Sequence, residues 1–391
     1  MVEEFIVNAD AWAAPLIAAA ALAAFLTARR VAAFAARRVW LPDLPNGRSS
    51  HARATSRAGG VAILCGWFAG LALIVLTAQS DPTLIAGFMA LSSGAFFLGL
   101  ADDRHGLSPL SKLAGQTACA AAYCAAFGGL AAAPLPFAEP LSLGVFGVVL
   151  SAFWIVAFMN AFNFMDGANG LASGCAIVLL AGLAAVAASS GGAEIAPLAL
   201  ILVFALGGFF RVNFPNGRLF MGDAGSQGVG FAVAALALHA ARPTPDAAFA
   251  VSPLFMVAAA APLLADVAFT LAHRAVRGQV LFNAHREHAY QLLLRLGANH
   301  VQVAAAYVAA TLAATLAAWA SAGASGIVQW LVALGTLATF FAAAAAVLRE
   351  ATRAGLVEFP REGRPAAVGE PGAADLPAFS GERPALPRAA E

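Results

Sequence analysis

The sequence predicts an all-α integral membrane protein: a polytopic helical bundle of about eleven transmembrane helices, N-terminus outside and C-terminus cytoplasmic. Three observations carry this. Of 391 residues, 61% are hydrophobic and only 11% charged, with a mean hydropathy of +0.80; a soluble domain of this length needs roughly a quarter of its residues charged to cover its surface. The apolar residues fall into eleven runs, near the length a tilted helix needs to cross about 30 Å of hydrocarbon. Of the 22 Lys/Arg, all but Arg242 fall in every second connection or in the C-terminal tail, the bias expected of cytoplasmic segments.

The first run, 11–28, follows Glu3, Glu4 and Asp10 and ends in Arg29-Arg30, which reverses the charge order of a signal peptide. The others are 59–77, 83–100, 112–128, 142–160, 171–189, 195–211, 224–241, 252–272, 302–320 and 326–348. Their dense alanine and glycine permit close helix approach, which is how bundles pack in lipid. Cys65, Cys119, Cys124 and Cys175 lie inside runs with no CxxC pair, so they are packing residues and neither a disulfide framework nor a zinc site is suggested. Residues 1–348 therefore form the membrane domain. The Pro-, Gly- and Ala-rich segment 349–391 is expected to be a disordered cytoplasmic tail. No internal repeat is visible, and a net charge of +1 offers nothing to nucleic acid.

Chemistry is concentrated in one set of connections. The outer ones (78–82, 129–141, 190–194, 242–251, 321–325) are short or built of Pro, Ala, Gly and Ser. The inner ones hold Asp43 to His51 and Arg57-Ala-Gly-Gly60, Ala101-Asp-Asp-Arg104, Asn160 to Leu171, Asn213 to Ser226 and Asn283 to Gln291. An Asp at bilayer depth costs about 2.5–3.5 kcal/mol, so carboxylates at span ends need a reason. A transporter would place polar groups at the midplane on broken helices; here they share one face, as in an enzyme working at the inner membrane surface. Asp102, Asp103, Asp166 and Asp223 are hard oxygen ligands without a Cys/His set, which suits Mg²⁺ or Mn²⁺. Arg57, Lys112, Arg218, His285, Arg286 and His288 are donors for phosphate oxygens, and the Gly222–Ser226 backbone opens a helix that can offer N–H groups to an anion. Together these describe phosphoryl or phosphosugar transfer.

Each feature also has a plainer reading. Asp102-Asp103 could be a solvated turn, Gly222–Ser226 a capped turn, His285-Arg-Glu-His288 a solvated helix face, and Lys112, the only lysine, a snorkelling residue. Asp266 could partner Arg274. The occurrence of all of them on one side favours a site.

The motifs Asp102-Asp103 with Lys112-Leu-Ala-Gly-Gln116, Asn163-Phe-Met-Asp-Gly-Ala-Asn-Gly-Leu171, Phe220-Met-Gly-Asp-Ala-Gly-Ser226 and His285-Arg-Glu-His-Ala-Tyr-Gln291 resemble those of the polyprenyl-phosphate N-acetylhexosamine-1-phosphate transferases, of glycosyltransferase family 4 type. The match in order and spacing covers about residues 43–291. The resemblance implies that the phosphate of undecaprenyl phosphate attacks the β-phosphorus of a UDP-N-acetylhexosamine and expels UMP, at the cytoplasmic face of the bacterial inner membrane. It implies that Asp223 binds Mg²⁺, with Asp166 a second candidate ligand. Asp102 would deprotonate or orient the lipid phosphate and Asp103 would support the metal–phosphate site. Asn163, Asp166 and Asn169 would line the donor side with Arg57, Lys112, Arg218 and Arg286, and His285 and His288 would meet the diphosphate or sugar. The muramoyl-pentapeptide enzymes carry three histidines in the last motif and a second Asp in the central one. Here His285-Arg-Glu-His288 and Asn169 stand instead, nearer the branch that initiates O-antigen or capsule repeats, which the Asn46-to-His51 loop also resembles. Family habit and the Ala/Gly-rich spans suggest a homodimer. The muramoyl-pentapeptide reaction and a lipid-linked sugar transporter are the alternatives.

Overall fold

The computed structural model describes residues 2–43, 54–76, 81–190, 194–242, 251–280 and 285–357, with side chains from Ala14 onward. Part of the expected tail 349–391 is described and differs from the expectation: the last helix runs on through Arg353 and Ala351 and Val357 are buried, so the folded domain extends past residue 348, while residues 358–391 and the Asn46-to-His51 loop lie outside the described residues. Every apolar run is helical: α1 (Val2–Arg38), α2 (Gly59–Leu76), α3 (Pro82–His105), α4 (Pro109–Phe127), α5 (Val145–Met165), α6 (Leu171–Ser189), α7 (Ile195–Asn213), α8 (Gly222–Ala240), α9 (Pro253–Ala259) with α10 (Ala261–Val276), then, after the short α11 (Ala289–Arg295), α12 (His300–Ala320) and α13 (Gly326–Arg353). Two small antiparallel ribbons complete the described chain, β1 (Pro42–Asp43) with β2 (Thr55–Ser56) and β3 (Ala132–Ala133) with β4 (Leu141–Ser142). Among the described residues seven helices are long and apolar enough to cross a membrane, and α9/α10, bent by 73°, would make an eighth. The protein is thus a polytopic helical membrane protein. Among the remaining helices α2 is apolar but short, while α4 and α8 carry polar residues that dilute their hydropathy.

Helix ends differ from the sequence expectation in one consistent way. α3 continues past residue 100 and α5 past residue 160, so Asp102, Asp103, Asn160 and Asn163 sit on closing helical turns and not in loops. The physical reason is that backbone groups near the membrane surface are best satisfied by continuing the helix until a residue can end it. Gly106, at φ 62°, ends α3 by returning its N–H to the Asp102 carbonyl. Ser108 then caps α4 ahead of Pro109, and the two helices leave the turn as neighbours. In the ninth run Pro262 has no N–H and its ring crowds the carbonyl four residues back, which accounts for the bend at Ala260.

Close backbone contacts lock the site end. The Gly59 and Gly60 N–H groups donate to the Phe220 (3.0 Å) and Met221 (2.8 Å) carbonyls, and Phe220 N–H donates to Ser56 O (2.8 Å), so the start of α2 is sewn to the segment that opens α8. Gly99 of α3 lies directly against the Asp223–Ala224 backbone, where any Cβ would collide with main chain that cannot yield. Gly99→Leu is expected to push α3 off α8, costing about 1–3 kcal/mol of overpacking. A thermal-unfolding comparison in detergent checks this, and a wild-type midpoint would contradict it.

Candidate active site

Four helix ends bring the predicted residues together. Asp103, on the last turn of α3, accepts from the backbone N–H groups of Asp223 (3.0 Å, Oδ1) and Ala224 (2.9 Å, Oδ2), so it caps α8 from a different helix. This corrects one expectation: the Asp223 and Ala224 N–H groups at the start of α8 are occupied by the protein's own carboxylate and not offered to a substrate anion. Asp102, one residue earlier and buried, accepts from Leu107 N–H (2.8 Å) and pairs with Lys112 on the first turn of α4. The Lys112 ammonium also lies 3.6 Å from Asp223 Oδ2. It is therefore the cation held between two carboxylates, and the snorkelling reading falls. Asn163, at the end of α5, donates through Nδ2 to Asp223 Oδ1 (2.8 Å) and Ser226 Oγ (2.8 Å), which orients the Asp223 carboxylate.

Asp166 follows α5 as its C-cap, its N–H returned to Asn163 O. Burial first, then Asp223 and Asp103, push its carboxyl well above the usual carboxylate range. Burial and then Asp102 and Asp103 push Asp223 up to about 7, against the pull of Lys112. The cluster is thus crowded with like charge, and Lys112 does not fully relieve it. Among the described residues no three His, Cys, Asp or Glu side chains are grouped to hold a metal by themselves. One or two carboxylates sharing a hard cation with substrate phosphate remain compatible with the crowding, since Mg²⁺ is commonly held that way.

The histidine motif stands on a separate support. His288 precedes α11, its ring stacked on Phe164 (5.6 Å) and beside His285 (4.9 Å), which brings it to the end of α5. Tyr290 donates through its hydroxyl to Phe164 O (3.0 Å), tying α11 to the same turn. Burial, then His288 and Arg274, lower His285 to about 4. His285 is therefore neutral at pH 7, accepts from Glu287 N–H at Nδ1 (3.4 Å), and can serve a phosphate as a neutral N–H donor only. The Asp266–Arg274 pairing considered from sequence does not form. Arg274 bonds Glu287 (3.1 Å), while Asp266 faces His288 Nδ1 at 3.4 Å. Arg286 is exposed, near enough to act on the Tyr290 phenol.

The remaining candidates lie apart from the acids. Arg57 pairs with Asp43 (2.6 Å) at the edge of the cluster, close enough to Asp103 to stabilise its charge. Arg218 and Asn169 line a cleft of about 1160 Å³ that sequence reading missed, with Arg29, Arg37, Arg211 and Phe214 among its walls. Asn169 donates to Pro215 O (3.1 Å) and its N–H to His300 Nδ1 (3.3 Å), so it is fastened to the cleft wall. The only sequence signal was the arginines themselves, which topology alone explained.

The sequence profile of glycosyl transferase family 4 matches residues 85–241. The decaprenyl-phosphate N-acetylglucosaminephosphotransferase of Mycobacterium tuberculosis is 31% identical over 297 residues, covering 66% of this chain and 70% of that protein. A probable undecaprenyl-phosphate N-acetylglucosaminyl 1-phosphate transferase of Bacillus subtilis is 29% identical, covering 66% and 71%. The undecaprenyl-phosphate alpha-N-acetylglucosaminyl 1-phosphate transferase of Escherichia coli is 27% identical, covering 78% and 83%. The chain belongs to glycosyl transferase family 4. Within it, the family profile spans α3 to α8 and so takes in the whole acid cluster with Lys112 and Asn163, whereas Arg57 and the His285–His288 motif lie beyond its ends.

Inside that family segment is a feature that sequence reading passed over. Gln116 donates to Gln227 Oε1 (2.9 Å), and Asn160 donates to Gln116 Oε1 (2.7 Å), closing a buried amide clasp across α4, α5 and α8. Each member sits one turn from a site residue on its own helix: Gln116 from Lys112, Asn160 from Asn163, Gln227 from Asp223. The i, i+3 and i, i+4 spacings were the available signal, because they place both residues on one helix face. Gln227→Leu leaves one N–H of the Gln116 amide unpaired in the apolar bundle, its bonds with Asn160 remaining, and is expected to cost about 1–3 kcal/mol. Adding Gln116→Leu is expected to recover part of that loss, as read by a double-mutant cycle of thermal unfolding; strict additivity would remove the clasp from consideration.

Proposed function

We propose that this protein transfers N-acetylhexosamine 1-phosphate from a UDP-sugar to undecaprenyl phosphate, releasing UMP and leaving undecaprenyl-diphospho-sugar. The observation that carries the reading is the Asp102–Lys112–Asp223 line with Asn163 at its end, in a chain whose family relatives bear polyprenyl-phosphate N-acetylglucosamine-phosphate transferase names. A phosphate oxygen of the acceptor attacks the β-phosphorus of the donor, and the bond from that phosphorus to the bridging oxygen of UMP breaks. Lys112, fixed by Asp102, stands where two anions must meet and offsets charge developing on the transferring phosphorus. Asp102 orients the acceptor phosphate through that lysine. The arginine-lined cleft beside Asn169 is suited to the uridine nucleotide, with Arg218 and Arg211 as phosphate partners and Phe214 as an apolar wall.

Asp223 and Asp166 are the residues that would hold Mg²⁺ or Mn²⁺, which when bound would neutralise donor phosphate oxygens and relieve the carboxylate crowding. The orientation follows the arginine bias, with all eleven runs spanning, the N-terminus outside and the site facing the cytoplasm at the bacterial inner membrane. Residues 1–357 are then the transferase domain, with 358–391 following it on the cytoplasmic side. The two-histidine motif and Asn169 favour O-antigen or capsule initiation over the muramoyl-pentapeptide reaction. A homodimer accords with the Ala/Gly-rich helix faces.

Purified protein supplied with undecaprenyl phosphate, Mg²⁺ and a panel of UDP-N-acetylhexosamines is expected to release UMP, and EDTA to stop it. Asp223→Asn is expected to lower the rate by about 10²-fold or more, while Glu139→Gln in the β3–β4 connection leaves it unchanged. No UMP from any sugar would refute the enzyme reading.

A further inference from the structure

The acid cluster leaves one buried carboxylate unused. Asp266 lies on α10, just beyond the bend, and is 2% exposed. An ionisable group so placed in a membrane bundle points to a function whose partner can be named. Its partners are unusually complete. Oδ1 accepts from Ala289 N–H (2.8 Å) and from the Thr270 hydroxyl (3.3 Å); Oδ2 accepts from Tyr290 N–H (3.2 Å) and from the Tyr307 hydroxyl of α12 (2.6 Å). The same Oδ1 stands 3.4 Å from His288 Nδ1, a buried nitrogen that makes no hydrogen bond among the described residues and so meets this carboxylate by charge and proximity.

We propose that Asp266 is a positioning residue for transfer: it caps α11 from α10 and orients His288 through Nδ1, so that Nε2 is the ring atom left for the substrate. An ionised carboxylate only accepts, so the Nδ1 facing it carries the proton. The Ala289 and Tyr290 N–H groups directly after His288 are held by the same carboxylate, which fixes the backbone from which the ring projects. Tyr290 then passes this placement to the acid cluster, because its hydroxyl bonds Phe164 O beside Asn163, and Asn163 bonds Asp223. The bend at Pro262 is what turns α10 so that its carboxylate meets the α11 N-terminus. Arg274, which could have neutralised Asp266, is engaged by Glu287 and the Val280 carbonyl (2.9 Å).

The proposal rests on the transferase reading for its kinetic arm but not for its spectroscopic arm. Asp266→Asn keeps an oxygen acceptor for α11 but turns an NH₂ donor toward His288, which demands the opposite ring tautomer. With full-length enzyme in detergent, kcat for UMP release is expected to fall about 10–100-fold with KM values held within about threefold, the size of loss usual when the group holding a histidine's other ring nitrogen is changed. Thermal midpoints report whether the variant is folded. Nitrogen NMR of histidine-labelled wild-type protein, with the His288 signal identified by its loss in His288→Gln, is expected to show a protonated Nδ1 and an unprotonated Nε2. A wild-type His288 protonated at Nε2 alone overturns the proposal even if Asp266→Asn fails to fold. So does a folded Asp266→Asn enzyme whose kcat stays within about twofold of wild type. If wild-type protein releases no UMP, the transferase reading falls while the wild-type tautomer still decides the positioning role.

Discussion

The arrangement depends first on the Asp103 carboxylate at the head of α8. A helix N-terminus presents unsatisfied N–H groups and a partial positive charge, and in a membrane bundle both need an anion. Asp103 supplies it from α3, with two backbone bonds that set the rotation and depth of α8 against that helix. Glycine makes the approach feasible, since at Gly99 even one methyl group would enter the Asp223 backbone. With α3 and α8 fixed in this way, Asp102 and Asp223 both come to the Lys112 ammonium and to each other. A substrate phosphate consequently has to be met by side-chain cations and not by the helix end.

The site is built from helix ends, and that gives it stiffness. Lys112, Asn163 and Asp223 project from three helices whose next turns are joined by the Gln116–Asn160–Gln227 clasp. Such polar groups in an apolar bundle are costly unless all are paired. Paired, they specify one registry of the helices that carry the chemistry. The histidine wall has independent support from α10, α11 and α12 around Asp266, and it reaches the cluster through Tyr290 and Phe164. Acid cluster, arginine cleft and histidine wall thus meet around the Asn163–Asn169 segment, each held by its own set of contacts.

Much of this was legible in the chain. The helical membrane class followed from composition, the helices from apolar run length, and the grouping of site residues at one end from the side on which the runs begin and stop. Legibility ended where a residue had two physically reasonable partners. Asp266 was within reach of Arg274 by sequence spacing, yet it turned to His288 and α11. Asp103 was grouped with the metal–phosphate site, and the structure adds a role not read from sequence, one backbone N–H of α8 on each of its oxygens. His285 read as a phosphate partner, yet burial and its neighbours keep it uncharged.

The sequence by itself determined what is local and cumulative: which segments are apolar enough to leave water, and which motifs mark the family. Only the tertiary structure decided which carboxylate faces Lys112, which caps a helix and which holds a histidine. The reason is that transfer free energy adds residue by residue along a chain, whereas the role of a buried carboxylate is set by the few donors within about 3 Å of it. Those donors come from α4, α8, α11 and α12, helices whose separation in the sequence carries no record of their contact.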